Sequence, residues 1–81
     1  MVVTIELFGV HRVHAKTESI TMPITDKTVA GDAFEYVRKQ YPELQLEEHH
    51  VIITVNREVV SFDKLLKAKD IIRLLPHIGG G

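Results

Sequence analysis

Eighty-one residues, 44% of them hydrophobic, suffice for one small domain with a limited core. Ten basic and eleven acidic side chains nearly cancel, so charge makes no case for nucleic acid or an anionic membrane as a partner. The lack of cysteine excludes disulfides, a cysteine nucleophile and thiolate metal sites.

The opening VVTIELF alternates. Val3, Ile5 and Leu7 share one face, and Thr4, Glu6 and Phe8 the other, which predicts a half-buried strand with one aromatic on the wet side. This start lacks a basic stretch before a long apolar run, and no segment is long enough to span a bilayer, so the expected location is the cytoplasm. Gly9 ends the strand, and HRVHAKTE is polar enough to read as a turn region. Ile20, Met22 and Ile24 alternate again, and Pro23 cannot donate to a ladder, so this second strand belongs at an edge of an N-terminal hairpin.

Thr28 is a good N-cap for a helix whose buried face carries Ala30, Ala33, Phe34, Val37 and Tyr41. Gly31 weakens its first turn, and Pro42 ends it. After the connector PELQLEEHH, the run VIITV reads as a strand buried on at least one face. Asn56-Arg57 is a tight turn, Val59-Val60 a short return strand, and SFDKLLKAKD a loop with room for one helical turn. IIRLLP closes as the last strand, with Ile72 and Leu74 on one side and Arg73 and Leu75 on the other. The order ββαβ(β)β, with one main helix against a mixed sheet of four or five strands, predicts an α+β domain of the β-grasp, ubiquitin-like type over residues 1–76. In that fold the first and last strands pair in the centre, so residues 77–81 leave from mid-sheet as an extended arm.

The run VNREVVSFDKLLKAKDIIRLLPHIGGG resembles the C-terminal third of the molybdopterin synthase small subunit (MoaD) and its ThiS-like relatives among the ubiquitin-related sulfur carriers. The Asn56 turn, the VSFD at Val60–Asp63, Asp70 before the last strand, and the proline followed by glycines all fit that pattern; LFGVHR and YPEL are similar as well. The resemblance implies a protein that is not an enzyme by itself. Its C-terminal Gly81 is adenylated by a ubiquitin-activating-type enzyme that uses ATP. A sulfur donor enzyme then supplies the sulfur of a thiocarboxylate, and the large subunit of molybdopterin synthase, in a heterotetramer, uses it to build molybdenum cofactor. It implies no bound cofactor, metal, nucleic acid or membrane. Related carriers serve thiamin synthesis, tRNA thiolation or protein tagging, so a protein modifier remains an alternative, as does a passive ubiquitin-like binding module.

The tail's chemistry agrees. An ionised α-carboxylate is a poor acylating group until a leaving group is attached, and the carrier itself then needs no acid, base or nucleophile. From Pro76 to Gly81 an extended arm spans roughly 15–20 Å at about 3.3 Å per residue. Gly79 and Gly80 supply the thin, permissive backbone that entry into another active site requires. The resemblance also implies partner docking by Phe8, Val59 and Leu75, and three apolar groups outside the core beside a reactive tail read as an interface.

His11, His14, His49, His50 and His77 fall in a turn, a connector and the tail, and nothing completes a metal-ligand spacing, so exposed histidines are expected. His77 stands where the family often has a second proline, which implies a less stiff exit and a candidate hydrogen bond to the partner. Lys69 replaces the glycine usual in an Asp-Gly-Asp turn, so a different turn is expected there. Gly79 makes the glycine ending triple, and Leu74 and Leu75 stand where aromatics are common.

Overall fold

The computed structural model describes residues 1–76; the predicted tail, with His77, Gly79, Gly80 and Gly81, lies outside the described residues. Strands β1 (Val2–Leu7), β2 (Ser19–Pro23), β3 (Val51–Val55), β4 (Glu58–Val59) and β5 (Ile71–Pro76) form one sheet in the order β2-β1-β5-β3-β4. The first and last strands are parallel neighbours, and the other pairs are antiparallel. This is the expected mixed sheet of the β-grasp. Its edge strand β2 ends at Pro23, where a missing N–H costs no ladder bond between central strands.

The inner face carries Val3, Ile5 and Leu7 of β1, Met22 of β2, Val51, Ile53 and Val55 of β3, and Ile72 and Leu74 of β5, all buried. Helix α2 (Ala30–Gln40) lays Ala30, Ala33, Phe34 and Val37 on it, as the 3.6-residue period predicts; Tyr41 follows, half-buried. Each large apolar side chain so buried contributes about 1.5–3 kcal/mol.

The helix starts one residue later than expected. Val29, not Thr28, is the N-cap residue, and the carboxylate of Asp32 accepts its N–H at 2.8 Å. Thr28 turns its hydroxyl back to accept the N–H of Thr25 at 2.9 Å. The remaining free donors of the first turn are met by a distant segment: Ala30 donates to the carbonyl of Lys64 and Gly31 to that of Phe62, each at 2.8 Å. Residues 61–70 therefore form a loop strapped across the start of α2, without a helical turn, which buries Leu66 and sets the Phe62 ring 5.3 Å from that of Phe34.

The segment read as a polar turn after Gly9 is a short helix, α1 (Val10–Ala15). Its buried side is only His11 and Ala15, one turn apart, while Val10 and Val13 face solvent. That arrangement carries no apolar stripe for sequence periodicity to detect. Lys16 closes α1 in the left-handed region at φ 60°, donating to the carbonyl of Arg12 at 3.0 Å. His11 thus departs from the expectation of exposed histidines.

Candidate functional site

Cross-strand partners share a face, so the register defines the outer side of the sheet. One row crosses all five strands: Ser19, Glu6, Arg73, Thr54 and Val59. The next row toward the tail pairs Leu75 of β5 with Ile52 of β3. Phe8 follows β1 and lines, with Glu6, Arg12 and Glu18, a concavity of about 240 Å³ at this end of the sheet. Val59 is 75% exposed; Phe8, Ile52 and Leu75 are half-buried. Phe8, Leu75 and Ile52 thus lie toward the tail end of the outer side, while Val59 stands on the edge strand in the row that carries Glu6, Arg73 and Thr54. Sequence reading missed Ile52 because the continuous run VIITV hides which of its residues face outward.

The tail's root is held as well as placed. Pro76 pairs with Val51 at the end of the central strand. A Cβ on Gly9 would lie 3.5 Å from Cγ of Pro76, so the turn into α1 flanks the strand's exit. Gly9 has φ +56° and ψ −134°, a combination that side chains strain to adopt.

Polar groups cross the middle of this face. Arg73 Nε donates to Glu6 Oε1 at 2.7 Å, with side chains 25% and 32% exposed. Arg12 and Glu18 approach to 3.8 Å in largely exposed positions. Thr54 is buried, and its hydroxyl has no hydrogen-bond partner among the described residues.

The histidines are scattered. His49 and His50 are exposed in the 3₁₀ turn Glu48–His50, and His14 is exposed on α1. Among the described residues, no group of three His, Asp or Glu side chains gathers as metal ligands. Burial, and then the nearby His14, lowers the His11 pKa from its ordinary value. A wider open groove of about 430 Å³, lined in part by Phe34, Arg38, Leu46 and Glu48, lies on the helix side, away from the outer face. No described helix is long and apolar enough to cross a membrane.

The fold is shared with SAMP1 from Haloferax volcanii, at 19% identity over 100% of both chains with a TM-score of 0.85. SAMP1 from Methanosarcina acetivorans is similar too, at 22% identity over 99% of this chain and 96% of that one, with a TM-score of 0.81. So is a chain in the complex of subunits 1 and 2 of molybdopterin-converting factor from Helicobacter pylori, at 23% identity over 100% of both chains with a TM-score of 0.68. Among curated proteins, no sequence matches. The ThiS family profile matches residues 5–81, nearly the whole chain, glycine ending included. The chain belongs to the ThiS family of ubiquitin-like, β-grasp sulfur carriers.

Proposed function

We propose that this chain carries sulfur as the small subunit of a molybdopterin synthase. The carboxylate of Gly81 attacks the α-phosphate of ATP on a ubiquitin-activating-type enzyme, giving an acyl adenylate and pyrophosphate. Sulfide supplied through a donor enzyme attacks the acyl carbon, AMP leaves with its electron pair, and loss of a proton gives the thiocarboxylate. The tail then enters the large subunit, which takes the sulfur for the dithiolene of molybdenum cofactor. The chain contributes reach through Gly79 and Gly80, a contact from His77, and a docking surface at Phe8, Val59 and Leu75. It supplies no catalytic group and binds no cofactor of its own.

The observation that carries this reading is the rooting of a glycine-ended segment in the central strand β5, directly beside the apolar outer surface. A partner that covers that surface receives the tail in a fixed direction. The Helicobacter pylori structure, a complex of two subunits, supports a partner subunit of this kind. The likeness to SAMP1 favours a second reading, in which the same activated glycine is joined to lysines of target proteins.

Intact mass tests the carrier reading. After incubation with ATP, a sulfur source and the activating enzyme from the same cell, the chain should gain the mass that replacing one oxygen by sulfur adds. Deleting Gly81 should abolish that gain and leave the fold intact, because the core lies in residues 3–74. Retained sulfur transfer after the deletion would overturn the proposal. Conjugates on a denaturing gel that vanish with Gly81 would establish the second reading.

A further inference from the structure

Arg73 occupies the centre of the outer face. It lies on the middle strand, in the middle of the row that runs from Ser19 to Val59, two residues before Leu75. An arginine there is chemically unfinished. A guanidinium has five N–H donors in a fixed fork. Nε is engaged by Glu6 at 2.7 Å, and among the described residues neither terminal nitrogen has an acceptor. Across the strand pair, Thr54 adds a buried hydroxyl that also lacks a partner among the described residues.

In the free protein the Arg73 side chain is 25% exposed, so it is open to water. A partner that seals Phe8, Ile52 and Leu75 removes that water. N–H donors sealed in without an acceptor are strongly unfavourable, so the partner must replace what it expels. Glu6 already fixes the Nε edge and with it the plane of the fork. The open end suits a second carboxylate, whose two oxygens accept from both terminal nitrogens in parallel, charge-assisted bonds.

We propose that Arg73 is the specificity contact of this face: it receives an aspartate or glutamate from the protein that covers Phe8, Ile52 and Leu75. The inference rests on the docking surface proposed above and adds the chemistry that discriminates between partners. Apolar patches accept many covers. An oriented guanidinium among them rejects any cover that brings no acid.

The test is calorimetric titration of the full chain with the molybdopterin synthase large subunit of the same genome, at low and high salt. Arg73→Met should weaken binding roughly 30-fold at low salt and flatten the salt dependence, and Arg73→Lys should restore only part of the loss. Thermal melts of the free variants separate this from misfolding. Each acidic residue on the large subunit's surface is also replaced by its amide. One replacement should weaken binding of the wild-type chain yet leave binding of Arg73→Met unchanged; should that variant not fold, the same cycle is run with Arg73→Lys. Unchanged affinity of Arg73→Met beside a loss for Leu75→Ala overturns this inference and leaves the docking surface standing. Strictly additive losses for every acid also overturn it. No binding by the wild-type chain overturns the docking reading and this inference together.

Discussion

Asn56 and Asp70, fourteen residues apart, are joined side chain to side chain, Asn56 Nδ2 donating to Asp70 Oδ1 at 2.9 Å. The amide oxygen of Asn56 accepts the N–H of Ile71 at 3.0 Å, and the other Asp70 oxygen accepts the N–H of Lys67 at 2.8 Å. One turn residue thus ties the β3–β4 hairpin to the start of the central strand, which in turn leads to the tail. Asn56→Ala removes two of these bonds and should cost about 1–2 kcal/mol. For a domain of this length each kcal/mol lowers Tm by about 4–8 °C. Thermal melts of Asn56→Ala, Asp70→Ala and the double variant should show the two losses to be less than additive.

The same hairpin carries an avoidable strain. Its two-residue turn has φ 51° at Asn56 and φ 75° at Arg57, and asparagine tolerates the left-handed region far better than arginine. Arg57→Gly should raise stability by about 0.5–1 kcal/mol, the relief being partly offset by the freer unfolded chain. A denaturant midpoint that shifts upward with an unchanged slope is the expected result.

Gly31 has the opposite character. The expectation from propensity is that glycine merely weakens the first turn of α2, yet its N–H bonds the carbonyl of Phe62 and its missing side chain makes room for that residue. A Cβ would lie 3.2 Å from the Phe62 oxygen and 3.3 Å from its Cβ. Gly31→Ala should therefore destabilise by about 1–3 kcal/mol despite the better helix propensity of alanine. Equal or higher stability of the alanine variant in urea would refute the close approach.

Burial of His11, with His14 beside it, depresses its pKa in the folded state. Around it are His14 on α1 and Glu43 on the 3₁₀ turn Pro42–Leu44, which line the same cavity of about 110 Å³. The folded state therefore prefers the neutral ring. As pH falls through the ordinary histidine range of about 6.5, the unfolded chain takes up the proton first and the fold loses stability. Below the folded-state pKa the loss levels off. Between pH 7.5 and pH 5 the Tm of the wild-type chain should fall further than that of His11→Gln, and equal slopes would assign the acid sensitivity elsewhere.

Lys69 illustrates how backbone geometry outlasts a side chain. A changed turn is the expectation where lysine replaces glycine, yet Lys69 takes φ 71°, the left-handed conformation a glycine would favour. The N–H of Asp70 bonds the carbonyl of Lys67, and that of Lys69 the carbonyl of Val2. These bonds hold the turn in a form its sequence disfavours.

Periodicity alone determined much of this protein. Two-residue alternation in β1 and β5 and the 3.6-residue stripe of α2 specify which side chains enter the core, because burial of apolar area is the dominant favourable term and repeats with the geometry of each element. The order of those elements was enough for the β-grasp, and the glycine ending with its upstream motifs was enough for the family. Only the tertiary structure decided what depends on strand register and on contacts distant along the chain. It placed Ile52 beside Leu75, set Arg73 against Glu6 sixty-seven residues away, and strapped residues 61–70 over the start of α2. It also made a helix of the residues after Gly9, whose buried pair of histidine and alanine leaves no hydrophobic trace to read. Local pattern encodes which face of an element is buried; which elements become neighbours, and in what register, is settled when the whole sheet closes on its helix.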